Sequence, residues 1–215
     1  MADRSHSPTP RWTRMRGLLD RTRWWWFAGL LVLYAAGFNG QWRITPDSAL
    51  HVDAARVLHA GGEPVVDPEP LENIQPGLGV LLAAVAWLTD GSADRGYGWP
   101  GSLLMLGFAA AVLTLAYRLF MLHADRPTAV LMVILLGTNH LFYEMSLNLL
   151  TELPFTAGFV LLLWGHERRL KCRRGLPLSL GMMVAGVLIM AAFRSVAVVV
   201  VASYLLAEAI RVVGR

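Results

Sequence analysis

The chain has 215 residues, of which 55% are hydrophobic and only 16% charged, and its mean hydropathy is +0.49. So little charge on a chain of this size argues against an ordinary soluble domain and for a protein of the bilayer. The net charge of +4 comes from arginines clustered beside apolar runs rather than on an aromatic-interleaved basic face, which argues against nucleic acid as a partner, and the single cysteine, Cys172, excludes an intrachain disulfide.

A helix needs roughly 20 mainly apolar residues to cross the hydrocarbon core. Residues 1–23 read as a basic cytoplasmic tail, followed by a first span over 24–39. The flank "YAAGFNG" carries small residues but no convincing cleavage site, so this segment reads as a retained anchor rather than a signal peptide. Further spans are expected over 99–122, 128–143, 147–165, 176–193 and 196–210, the last two forming a hairpin across Arg194 and Ser195. The run "QPGLGVLLAAVAWLTDG" is too short for a span and suits an interfacial or re-entrant helix.

Charge sets the direction. If that short run does not cross, the arginines of the tail, Arg118 and Arg126, the cluster "HERRLKCRRG", and Arg211 with Arg215 all fall on one side. The positive-inside rule makes that side cytoplasmic. The expected fold is therefore all-α integral membrane: about six transmembrane helices, both termini inside, and two amphipathic juxtamembrane helices in a first outer loop over about residues 40–98. The transmembrane module spans 24–210, and 211–215 form a cytoplasmic C-terminus. Trp24, Trp25, Trp26, Trp42, Trp99 and Trp164 lie near expected span ends, where their rings favour the interface.

The first of the two outer helices is written in "RITPDSALHVDAARVLHAGGEP". Thr45 suits the N-cap, Pro46 the first helical position, and Gly61 with Gly62 the stop. Leu50, Ala54, Val57 and Leu58 recur at helical spacing as an apolar stripe, while Asp47 and His51 share another face. His51 and His59 read as solvated or interfacial. An acid in the first turn stabilises the helix dipole, and the same field keeps Asp47 ionised, able to accept a proton or a metal.

Between the third and fourth expected spans, "TNHLFYEMSLNLLTELPF" places Asn139, His140, Glu144, Asn148 and Glu152 in a polar patch at the outer end. Ionisable groups at membrane depth are costly and face a cavity or a partner. His140 and Glu144, four apart, read as a hydrogen-bonded pair rather than as metal ligands. Arg194 stands between two apolar runs at the same face, where it either snorkels to headgroups or holds a phosphate, a task suited to guanidinium geometry. Asp47, Glu152 and Arg194 thus come from three segments to one membrane face. An acid, a second acid and a phosphate-binding cation suit transfer from a lipid phosphate to a hydroxyl.

This pattern resembles the GT-C superfamily of polyprenyl-phosphate-sugar glycosyltransferases, in particular bacterial members related to protein O-mannosyltransferases and the lipid A aminoarabinose transferase. "TPDSALHVDAARVLHAGGEP" resembles the family's first-loop signature, "ENIQPGLGVLLAAVAWLTDG" its second juxtamembrane helix, and "SLNLLTELPFTAGFVLLLW" the segment bearing a second-loop acid. The resemblance implies that Asp47 is the catalytic base or a metal-coordinating residue, that Glu152 takes the place of the second-loop acid, and that Arg194 contacts the lipid phosphate. Gln75 departs from the Lys, His or Pro that usually precedes the second helix. Family members usually continue through further spans, so the resemblance implies a front module, a half that needs a partner subunit, or an inactive relative.

The function expected is transfer of a sugar from a polyprenyl-phosphate carrier to a hydroxyl of an unidentified acceptor, at the outer face of a bacterial inner membrane. A divalent metal cofactor is left open. The alternative is a non-catalytic polyprenyl-phosphate binder or transporter subunit, and a third reading is a structural membrane protein whose polar patch merely packs.

Overall fold

The computed structural model describes residues 10–37, 45–61, 75–89, 99–171 and 176–213, and every regular element among them is a helix. In chain order these are α1 (Pro10–Gly37), α2 (Pro46–His59), α3 (Gly77–Leu88), α4 (Trp99–Phe120), α5 (Arg126–Gly137), α6 (His140–Leu147), α7 (Glu152–Lys171), α8 (Leu176–Phe193) and α9 (Ala197–Val213). Two are long and apolar enough to cross a membrane, over Pro100–Phe120 and Leu176–Phe193. A third span results if α5 and α6, bent by 62° at their junction, are counted as one.

The junction corrects the expectation of an uninterrupted helix over 128–143. Asn139 leaves the helical path and turns its side chain back: Oδ1 accepts from the Leu141 and Phe142 amides at 3.0 and 3.3 Å, capping a new helix. A break strands carbonyls of the last turn of α5. The Tyr34 hydroxyl, buried on α1, donates to one of them, Gly137 O. Similarly, the fourth expected segment does not start at 147. Residues 148–151 are non-helical, and α7 begins at Glu152 with Pro154 in its first turn, where a missing N–H costs nothing.

Among the described residues two larger core clusters organise the bundle, beside a smaller one of Leu162, Met190 and Ala197. One joins α1, α4, α5, α6 and α7 through Leu30, Tyr34, Val112, Val133, Phe142 and Leu153. The other gathers Val52 and Ala55 of α2, Leu78 and Leu82 of α3, Met105 of α4, Leu149 and Phe193. So α2 and α3 are docked on the helical bundle, and on each other. The face of α2 turned inward is Ser48, His51, Val52 and Ala55, all buried. Leu50, Ala54, Val57 and Leu58, the expected stripe, are only half-buried. The buried face is rotated from the stripe but shares its edge: α3 packs at Gly79, where an added Cβ would stand 3.3 Å from the Ala54 Cβ and 3.6 Å from His51 O, and Leu58 packs against the same cluster. His51 therefore lies in the packed interface and not in solvent.

The tightest pairing is that of α7 with α8. A Cβ on Gly158 would stand 2.8 Å from Gly186 O, one on Gly186 would stand 2.6 Å from Gly158 O, and one on Gly165 would stand 2.8 Å from Ser179 O. Within a bilayer, lipid tails are as apolar as leucine, so helices associate by close packing of this kind rather than by escape from water. Gly158 opposite Gly186 and Gly165 opposite Ser179 define an antiparallel register that places the start of α7 beside the end of α8.

Candidate functional site at the α7 and α8 ends

That register delivers the ion pair. Arg194 follows directly on α8, its amide still donating to Met190 O at 3.0 Å, while Ala197 N donates back to Arg194 O at 3.1 Å to start α9. The guanidinium is thereby held on a three-residue turn opposite the first residue of α7. Arg194 Nη1 donates to Glu152 Oε1 at 2.8 Å, with the two side chains 42% and 25% exposed. Glu152 also sits in the first turn of its helix, where the dipole favours an anion.

The second carboxylate oxygen is in a different situation. Glu152 Oε2 is buried, and among the described residues nothing donates to it; the same holds for Asn148 Oδ1, whose amide nitrogen is spent on Glu144 O at 2.8 Å. A buried acceptor left unanswered costs about 1–3 kcal/mol. Two such oxygens within one short stretch leave acceptor capacity at this end of the bundle. Leu149, between them, is buried against Leu82 and Gly101 and fixes the stretch to α3 and α4.

The helices docked outside the spans face this end. Trp87 Nε1 donates to His59 O at 3.3 Å and the two rings lie 6.2 Å apart, while Gly79 meets Ala54. Position 54 against 79 and 59 against 87 make α2 and α3 run parallel. Their N-termini therefore share one end, and there Gly77 presses its backbone on Ala192 O, two residues before Arg194. Thr45 caps α2 with a capping box: its hydroxyl accepts from Ser48 N at 3.2 Å, and Ser48 Oγ accepts from Thr45 N at 2.7 Å. Asp47 follows as the second residue of that helix. Its backbone stands at the end of α2 nearest the pair, while its side chain lies outside the described residues.

Of the three residues expected at the site, the structure brings Glu152 and Arg194 into contact and places the Asp47 backbone at the same end. His140 and Glu144 form an exposed pair at 3.4 Å, as the spacing suggested. Within the expected outer loop over about residues 40–98, the acids Glu63, Asp67, Glu69, Glu72, Asp90 and Asp94 lie outside the described residues. Among the described residues no three of His, Cys, Asp and Glu gather as a metal-binding group.

Sequence reasoning missed a second charged cluster, at the opposite end of α7. Glu208 of α9 accepts from Arg169 at 2.8 Å and from Arg211 at 3.3 Å, with His166 Nε2 at 3.5 Å; the other His166 nitrogen lies 2.8 Å from the Tyr204 hydroxyl. The spacing of Tyr204, Glu208 and Arg211 along one helical face, matched by His166 and Arg169 on another, was the available signal.

No protein-family model matches the chain, and no curated protein or solved structure matches it.

Proposed function

We propose that the chain is a membrane glycosyltransferase, or the N-terminal module of one, that moves a sugar from a polyprenyl-phosphate carrier to an acceptor hydroxyl at the outer face of a bacterial inner membrane. In this reading six spans carry both termini to the cytoplasm, the basic loops lie inside, and α2 and α3 rest at the outer surface. The observation that supports it is the Glu152–Arg194 pair, set by the α7–α8 register at the end where α2 begins.

The chemistry assigns one task to each group. Arg194, with donors beyond the one given to Glu152, receives the phosphate of the carrier. The unanswered Oε2 of Glu152 accepts from a hydroxyl of the sugar or acceptor and orients it. Asp47 takes the proton of the acceptor hydroxyl as its oxygen bonds to the anomeric carbon. The bond from that carbon to the phosphate oxygen breaks, and the polyprenyl phosphate leaves as an anion against Arg194.

A second reading has an observation of its own. The charge of Arg194 is already answered by Glu152, which suits a site that holds and releases a lipid phosphate without chemistry following. The full chain in proteoliposomes with a radiolabelled polyprenyl-phosphate sugar separates the two. Transfer that is abolished in Asp47→Asn, with membrane insertion intact, supports the transferase; undiminished transfer in that variant removes the proposed base. Binding of the lipid without turnover favours the carrier-binding reading. No binding at all, with Ala tolerated at Asp47, Glu152 and Arg194 together, leaves a structural membrane protein.

A further inference from the structure

A cleft of about 340 Å³ opens between α1 and α4, away from the site above. Trp24, Phe27 and Leu31 form one wall and Leu113 and Tyr117 the other, with the Phe27 and Tyr117 rings in edge contact at 5.5 Å. Phe27 against Tyr117, with Tyr34 beside Ser102 and Leu106, makes the two helices antiparallel, so the cleft has a tail end, at Leu31 and Ala110, and a head end, at Trp24 and Arg118. Arg118 lines the head end, in the last turn of α4, and Arg21 is exposed one turn before Trp24. Among the described residues no carboxylate lines the cleft and none pairs with Arg118.

Size selects the occupant. The cleft follows α4 from Ala110 to Arg118, which at 1.5 Å per residue is about 12 Å. Dividing the 340 Å³ by that length gives a mean cross-section of roughly 28 Å². A helix with side chains is about 10–12 Å across and needs roughly three to four times that area, so neither a further span nor a second copy of this chain fits in the cleft. A single extended hydrocarbon chain does. The head end coincides with the end of a membrane-crossing helix, where Trp24 offers an amphipathic ring and two arginines offer positive charge.

We propose that this cleft seats one acyl chain of an anionic phospholipid of the inner leaflet, with Arg118 on its phosphate and Arg21 adding to the local positive field. The site is independent of sugar transfer and of the Glu152–Arg194 pair. It depends on the immersion of α4 in a bilayer, and its assignment to the inner leaflet on the orientation that puts the basic loops in the cytoplasm.

The test is native mass spectrometry of the full chain released from micelles containing equal amounts of dioleoyl phosphatidylglycerol and dioleoyl phosphatidylcholine. One lipid is expected to remain bound, with phosphatidylglycerol favoured about fivefold, the size of effect one arginine near a headgroup provides. Arg118→Gln abolishes that preference while a lipid is still retained. Ala28→Phe, which fills the cleft from an exposed position on α1, removes the bound lipid of either kind. Circular dichroism confirms that both variants keep their helices. Equal retention of the two lipids by the unaltered chain overturns the proposal, as does a preference that survives Arg118→Gln or an occupancy indifferent to Ala28→Phe.

Discussion

Breaking the Glu152–Arg194 pair from its two sides should give unequal losses. Two unit charges about 4 Å apart near a protein surface, at an effective dielectric constant of about 20, attract by about 4 kcal/mol before desolvation and ordering are counted. With the carboxylate 25% and the guanidinium 42% exposed, the net coupling falls to about 1–2 kcal/mol. Glu152→Gln leaves a guanidinium that turns to water, so its cost stays near or below about 1 kcal/mol. Arg194→Met leaves a carboxylate with one oxygen buried and unanswered already, and the second now exposed to the same fate. That variant should lose about 2–3 kcal/mol. Reversible unfolding of the full chain in mixed micelles, with the double variant closing the cycle, measures all three terms. A coupling indistinguishable from zero, or a larger loss for Glu152→Gln than for Arg194→Met, would refute the reasoning. The same substitution carries a binding test: without its counter-charge Arg194 should hold polyprenyl phosphate about fivefold more tightly in Glu152→Gln, while transfer falls.

Gly186→Leu forces a side chain against the backbone of Gly158 and Leu162, so it should separate α7 from α8 and cost at least the roughly 1–3 kcal/mol of an overpacked core, read as a fall in the unfolding midpoint in detergent. Tyr34→Phe withdraws the hydroxyl from Gly137 O at the α5 break and should cost about 1–2 kcal/mol in the same assay. Glu208→Ala leaves Arg169 and Arg211 unanswered between α7 and α9, so amides of α9 should exchange hydrogen faster than those of α8. Cys172, in the loop read as cytoplasmic, should resist a membrane-impermeant maleimide in intact cells; rapid labelling there would invert the topology.

The helical character and the apolar stretches were legible because they rest on composition and run length, which a sequence displays directly. The apolar stretch of α8 over 176–193 is a case in point: nothing charged interrupts it. What the sequence did not disclose depends on partners. Asn139 reads equally well as a polar residue inside a span and as a cap that ends one; the difference lies in Tyr34, more than a hundred residues away, which satisfies the carbonyl that the break exposes. The buried face of α2 was misread for the same reason. Periodicity gave a stripe of the larger apolar residues, but docking on α3 is set by Gly79, and a small residue leaves no mark in a hydropathy pattern. Glu152 and Arg194 were both singled out as polar residues at span ends, yet their pairing follows from the register of Gly158 with Gly186, which was not read.

That dependence makes α7 the element on which the candidate site turns. Its first residue is the site acid, its glycines fix the distance to α8, and its last turns hold α9 through Glu208. The α8–α9 turn bearing Arg194 is therefore anchored on both flanks, by the glycine contact on α8 and by the charged cluster at the far end of α9. A turn held this way keeps its guanidinium in place without a ligand, which lowers the ordering cost that a phosphate would otherwise meet. The consequence is that Gly186→Leu, remote from any substrate, should weaken polyprenyl-phosphate binding along with stability, whereas Glu152→Gln should move the two in opposite directions. If binding follows stability in both variants, the pair is a structural clasp. If they diverge as described, Arg194 is a phosphate site that Glu152 occupies until the lipid arrives.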